Sequence, residues 1–340
     1  MIPIKGYATF HALKHCLVGK NFSSDFFKKL SLDPKIISPL QRIADETEED
    51  YLKLIKILHS HGVSTYRPSF NEENYNTEKH FRPPTCPRDH FGVIGETFYA
   101  THPVQFYGET LKQISKDNLY LNNWDYPQCL TTTANIVRCG KDLYWDITAQ
   151  KTRNQTDSKD QCQKRIDFLE EKWTNEGYRV HKSNRNYHSD SAFCLIKPGC
   201  IISLHDIQKY ENLFPGWEVL YLPEQSWSAV SPFLKIKEKV AGKWWVPGEE
   251  DNDKLIEFVN TWLNDWVGYV EETVFDVNIL SINENVVICN NENKDVFNFL
   301  KKHKVEPIIF NFRHRYFWDG GVHCITQDLY REGQMEDYFS

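Results

Sequence analysis

The stretch "AFCLIKPGCIISL" (192–204) is two short apolar runs separated by Pro198-Gly199. Proline presets a turn dihedral and glycine accepts the positive φ that closes it, so the two runs read as a hairpin of buried strands. A third run, "GWEVLYLP" (216–223), follows after a connecting segment. The same unit returns along the chain. "FGVIGETFYA" (91–100) hinges at Gly95-Glu96, "ANIVRCGKDLYWDI" (134–147) at Gly140-Lys141, and "VNILSINENVVICNN" (277–291) through an Asn-rich turn. "LKHCLVG" (13–19) reads as a buried strand, and "FWDGGVHCITQDLYREG" (317–333) as the last hairpin. Between them lie helical segments. "DETEEDYLKLIKILHSHG" (45–62) has Tyr51, Leu52, Leu54, Ile55, Ile57 and Leu58 at helical spacing, an acidic start and a stop at Gly62. Segments 158–177 and 293–304 read the same way, each leading to another strand, "YRVHKS" or "VEPIIFNF".

That is about five repeats of a hairpin followed by a helix and a returning strand, the kind of period that marks solenoids and propellers. Divergence among the repeats also permits an ordinary α/β or α+β sheet. A closed ring of such units would converge its loops on a central pocket. Segments 69–86 and 228–265 interrupt the cycle, and the second carries a helix from about 250 to 266.

The composition allows a large core: 340 residues, 40% hydrophobic and 14% aromatic, argue for a folded globule and against disorder. A net charge of −7 gives no electrostatic footprint for nucleic acid. Nine cysteines, an odd number with no C-x-x-C pair, go with the absence of a signal-like start or a long apolar run. The chain is therefore expected to be soluble, cytoplasmic and largely reduced.

Four clusters could do chemistry. "CPRDHFGVIG" (86–95) puts Arg88 and Asp89 just before a strand, and "NYHSDSAF" (186–193) does the same with His188 and Asp190. "TTTAN" (131–135) places hydroxyls and Asn135 ahead of a third strand, and "GGVHCITQD" (320–328) carries His323 and Cys324. A cysteine by composition is most often a buried, inert small hydrophobe. Cys324 is set apart by Gly320-Gly321, which removes side chains on its N-terminal side and lets backbone approach a ligand. A metal role is disfavoured, because extended His323 and Cys324 side chains splay apart. His188 and Asp190, two apart, face the same side of an extended segment, where the acid could bind a cation and the imidazole could exchange protons. The bland reading makes both of them capping residues at a strand entrance, and makes Arg88-Asp89 a local salt bridge.

Together these pieces resemble the amidinotransferases, the family of glycine amidinotransferase and inosamine-phosphate amidinotransferase within the guanidino-modifying pentein superfamily. The matching stretches are "FHALKHCLVG", "PRDHFGVIG", "ANIVRCGKDLYW", "YRVHKSNRNYHSDSAF", "VNILSINENVVIC" and "GGVHCITQDLYREG", which cover nearly the whole chain. The last is also similar to the signature of agmatine deiminases. The resemblance implies a single-domain, five-module α/β propeller (pentein) with pseudo-fivefold symmetry. It implies transfer of an amidino group from an arginine-like guanidino donor to an amine acceptor, with Cys324 as nucleophile and His188 as acid and base. Asp89 and Asp190 would hold the guanidinium, with Arg88, His323, Gly320, Gly321, Thr132 and Asn135 around the substrate. No cofactor or metal is implied, and a homodimer is compatible with it. A deiminase-type hydrolase and a guanidino-binding propeller with little catalysis are the alternatives.

Two departures from the family pattern bear on substrate. Thr132 stands where the family carries an acid in a D-A-A-[DN] stretch, leaving Asp142, Asp146 or Asp319 as candidates to replace it. Ile207 stands where glycine amidinotransferase has an arginine, and Glu271-Glu272 where it has serines. Both changes point to a substrate more cationic than arginine plus glycine.

Overall fold

The computed structural model describes residues 1–30, 32–74, 82–100, 107–121, 133–148, 159–184, 188–204, 209–222, 227–270 and 273–340. Thr132, Ile207 and Glu271-Glu272 lie outside these residues.

Five three-stranded sheets of mixed direction make up the β structure. β1 (Ala12–Val18) and β2 (Ser64–Tyr66) run parallel. β3 (Phe91–Ile94), β4 (Thr97–Ala100) and β5 (Leu119–Leu121) form the second sheet; β6 (Ile136–Cys139), β7 (Asp142–Asp146) and β8 (Arg179–Ser183) the third. β9 (Phe193–Lys197), β10 (Cys200–Leu204) and β11 (Glu218–Leu222) form the fourth; β12 (Leu280–Asn283), β13 (Val286–Cys289) and β14 (Glu306–Ile309) the fifth. The second to fifth repeat one plan: an antiparallel hairpin whose second strand pairs in parallel with a third. A parallel return needs a crossover, and helices such as Lys159–Asn175 and Lys294–Lys302 supply it. The hairpin glycines Gly95, Gly140 and Gly199 all take positive φ, as their turns require.

The last hairpin differs from expectation. Segment 317–333 contributes only β15 (Thr326–Glu332), whose antiparallel partner is β1, from the opposite end of the chain. The first and last segments thus complete one sheet between them. The first long helix also starts earlier than its acidic run suggests. It spans Pro34–Ser60, capped by the Asp33 carboxylate accepting from the Lys35 N–H at 2.8 Å, with Pro34 at the first helical position.

Within the sheets burial falls towards the strand that pairs in parallel with the middle one. All residues of β3, β6, β7 and β10 are buried, while β8, β11 and β14 are largely half-exposed. Strands covered on both faces become continuous apolar runs, which is why "CIISL" does not alternate. Residues 227–270 include the helix Asp253–Trp262 and pack on the helix Pro34–Ser60 through Arg42–Glu249 and Lys254–Asp33. Trp266 stacks on Trp318, at 5.9 Å between centroids.

One buried charge cluster ties the sheets together. Asp328 of β15 pairs with Arg88 at 3.0 Å, with Arg331 at 2.8 Å, and with Arg138 of β6. All four side chains are essentially inaccessible. Arg138 also donates to the Val93 carbonyl of β3 at 2.7 Å, and Arg331 to the carbonyls of His11 and of Ser281 in β12. Four of the five sheets therefore meet at one carboxylate, whose pKa the three guanidiniums hold well below the carboxylate range despite burial. Asp328→Asn would leave three buried cations undercompensated. We expect a loss on the order of 3–5 kcal/mol in urea unfolding at pH 7, as for breaking a buried ion pair.

Candidate active site

Cys324 lies in the turn 322–325 that enters β15, and two buried asparagines hold that turn. Asn278, just after the short helix Val274–Val277, accepts the His323 N–H on Oδ1 at 2.9 Å and donates from Nδ2 to Cys324 Sγ at 3.0 Å. Asn290, which follows β13, accepts the Val322 N–H at 2.7 Å and donates to the Asn278 carbonyl at 2.7 Å. The close approach explains Gly320-Gly321. A Cβ at 321 would come within 2.5 Å of Asn278 Oδ1, and one at 320 within 2.7 Å of Cys86 Sγ.

Asp190 arrives from the 3-10 turn Ser189–Ser191 ahead of β9. Its backbone N–H donates to the Ala134 carbonyl at 3.2 Å, and the Ser189 hydroxyl donates to the Asn135 carbonyl at 2.9 Å. The buried carboxylate accepts from His323 Nδ1 at 2.9 Å on Oδ2, which lies 3.7 Å from Cys324 Sγ. Its other oxygen, Oδ1, has no partner among the described residues, and neither does Asn135 Oδ1 or Asp89 Oδ1. Asp89 ends the 3-10 turn Pro87–Asp89 ahead of β3 and stands 3.9 Å from Arg82.

The electrostatics follow from these positions. Burial, then the charges of Asp190 and Asp89, push the Cys324 thiol well above its usual range, against the pull of the Asn278 hydrogen bond. Burial and the Arg88 guanidinium hold His323 down to about 4, so at neutral pH it is the uncharged imidazole donating Nδ1–H to Asp190. Burial would raise Asp190, but the His323 hydrogen bond and the positive Arg88 outweigh it and its carboxyl lies below the usual value. A cavity of about 20 Å³ borders the pair on the side of Cys194, Ile279 and Ser281. It has room for roughly one water and none for a substrate.

No family model matches the chain. In sequence it is similar to L-arginine:L-lysine amidinotransferase of Pseudomonas savastanoi pv. phaseolicola, 23% identical over 240 residues, which is 65% of this chain and 54% of that protein. Mitochondrial glycine amidinotransferase of Xenopus tropicalis is 25% identical over 168 residues, 48% of this chain and 32% of that one. The match thus spans about half, or less, of the curated relatives. In fold it is similar to inosamine-phosphate amidinotransferase StrB1 of Streptomyces griseus, with a TM-score of 0.68 at 18% identity over 99% of both chains. The chain is a relative of the amidinotransferases. A dimethylarginine dimethylaminohydrolase shares the fold more distantly, with a TM-score of 0.54 at 10% identity over 92% of this chain and 98% of that one.

Of the residues that the amidinotransferase resemblance singles out, Cys324, His323 and Asp190 are in mutual contact, with Gly320-Gly321 beneath the turn and the charge of Asp89 reaching the sulfur. His188 begins the Asp190 turn, half-buried, and is close enough for its charge to act on that carboxylate. Arg88 departs from the local salt-bridge reading. It pairs with Asp328, not with Asp89, and its Nε donates to the His323 carbonyl at 2.7 Å while Nη1 donates to Thr133 at 2.9 Å. It is a buried strut of the turn that bears Cys324. Among the acids considered for replacing the one absent at Thr132, Asp142 is engaged by Arg179 and His181, and Asp146 by Thr148 and Ser183. Asp319 is exposed on a left-handed helix cap. Asn278 and Asn290 carry no sequence signal of their own, since an asparagine near a strand end reads as a turn residue.

The depressed His323 binds its proton more weakly folded than unfolded. Its contribution to stability is present above pH 6.5 and fades as pH falls from 6.5 towards 4, by about 3 kcal/mol at most. Urea unfolding of the wild type and His323→Asn at pH 7.5, 5.5 and 4.5 should show the gap between them narrowing as pH falls. His11, also depressed to about 4 by burial and Arg331, titrates in both proteins and cancels.

Proposed function

We propose that the chain transfers an amidino group from an arginine-like guanidino donor to an amine acceptor through a covalent amidino-thiol on Cys324. The observation that carries this is the buried Asp190 carboxylate. One of its oxygens is fixed by His323 beside the Cys324 sulfur, and the other has no partner among the described residues. A guanidinium donating to that free oxygen, and to Asp89, has its carbon presented to the sulfur.

Docking of the cation reverses the local field. The two carboxylates that keep the free site a thiol are neutralised, which favours the thiolate in the presence of substrate. Cys324 gives its thiol proton to His188 and attacks the guanidinium carbon as the thiolate; the tetrahedral adduct collapses as the C–N bond breaks and the departing amine takes that proton from His188. The acceptor amine gives its proton to His188, attacks the amidino carbon and displaces Cys324. No cofactor takes part in this scheme. We further infer that the five sheets close into a five-module propeller forming one domain, with 69–86 and 228–265 as insertions.

Water in place of the amine would give hydrolysis, a reading favoured by the dimethylarginine dimethylaminohydrolase among the fold neighbours. Incubation with arginine or agmatine should leave an amidino adduct on the Cys324 peptide by mass spectrometry, and none in Cys324→Ala. Ornithine or putrescine release beyond one equivalent per Cys324 should depend on added amine; ammonia or urea-type product without an acceptor would favour the hydrolase. Asp190→Asn should lower kcat/KM by about tenfold to a hundredfold, the equivalent of one charged hydrogen bond. The replacements at Ile207 and Glu271-Glu272 predict that agmatine outcompetes arginine, and a clear preference for arginine would reject that part.

A further inference from the structure

We propose that Asn278 is a catalytic residue, the hydrogen-bond donor that receives the Cys324 sulfur as a thiolate and aims it at the substrate carbon. This rests on the reading of Cys324 as nucleophile. Three observations carry it. The Asn278 Nδ2–H points at Sγ over 3.0 Å, and both side chains are buried. The amide cannot turn over, because its Oδ1 is held by the His323 N–H, and its own backbone carbonyl is held by Asn290. Finally, Gly321 has no side chain where one would strike the Asn278 oxygen, so the turn is built around this amide.

The need for such a donor is evident from the surroundings. The titratable groups facing the sulfur are Asp190 from the turn before β9, and Asp89 and Cys86 from the segment before β3. All disfavour a negative sulfur. His323, adjacent in the chain, is neutral and donates to Asp190; Arg88 is directed at the His323 carbonyl and Asp328. An incoming guanidinium supplies positive charge only until its carbon is attacked. Asn278 is the fixed dipole that remains when Cys324 departs as a thiolate from the second tetrahedral adduct.

Asn278→Asp separates this role from a purely structural one. The carboxylate keeps an oxygen for the His323 N–H but turns the donor at the sulfur into an acceptor. Peptide-resolved alkylation of Cys324 by iodoacetamide across pH reads the thiolate directly and needs no guanidino donor. We expect the rate at a fixed neutral pH to fall by about tenfold or more, with the midpoint shifted to higher pH by at least about one unit. Asn278→Ser, which withdraws the donor without adding a charge, should shift it the same way by less and stands in if the aspartate variant does not fold. Asn290→Ser loosens the same turn without touching the sulfur and should leave the midpoint in place. Wild-type pH dependence in both Asn278 variants, or an equal shift in Asn290→Ser, overturns the proposal. A shifted midpoint in a protein that forms no amidino adduct would reject the transferase reading and leave Asn278 as the thiolate donor.

Discussion

The buried Asp328 carboxylate is the constraint on which the rest of the structure depends. Three guanidiniums converge on it from segments far apart in sequence, and each extends to a backbone carbonyl or hydroxyl of another sheet. Burying charge is costly unless nearly every donor and acceptor is engaged, and such a cluster tolerates few alternative arrangements. Its neighbour Gln327 extends the network by accepting from the Thr133 hydroxyl at 2.7 Å. Because Arg88 also grips the His323 carbonyl, the turn bearing Cys324 inherits its position from the same cluster. The charge that organises the sheets thus also organises the candidate site.

The site itself is built short of positive charge. Two carboxylates bear on a buried sulfur, while the nearby guanidinium of Arg88 is turned towards Asp328 and the His323 backbone. Without a ligand this arrangement favours a protonated, quiet thiol, which protects a reactive cysteine from adventitious chemistry. In the proposed reaction it becomes productive only with a cation, and a planar one with several N–H donors suits the Asp190 and Asp89 oxygens that have no partner among the described residues. Under the proposed function, selectivity for a guanidinium is therefore coupled to activation of the nucleophile.

The hairpins were legible from the sequence because their physics is local. Gly95, Gly140 and Gly199 stand where positive φ is needed, and apolar runs flank them. The joining of β15 to β1 was not, because pairing between chain ends leaves no periodic trace in either segment. The start of the helix Pro34–Ser60 was obscured by Pro39, which usually argues against a helix interior. At the site, glycines and the H-x-D spacing pointed to Cys324, His188 and Asp190. The partner of Arg88 was misplaced because Asp89 is its neighbour in sequence, whereas Asp328 is its neighbour in space. A buried network of this kind is a property of the assembled sheets and cannot be read from any one motif.

In the proposed reaction the two histidines divide the work by environment. His323 is fully enclosed, held neutral, and oriented by Asp190 and by its own backbone contacts to Asn278 and Arg88. A proton added to it below neutral pH would face the Arg88 guanidinium, so it suits orientation better than proton transfer. His188 is half-buried at the entrance to the Asp190 turn, with no side-chain hydrogen bond among the described residues. A half-buried ring with access to solvent can take a proton from one amine and return it to another, as the proposed reaction requires. The H-x-D spacing keeps that ring beside the carboxylate that binds the cation, so donor binding and proton exchange occur at one strand entrance.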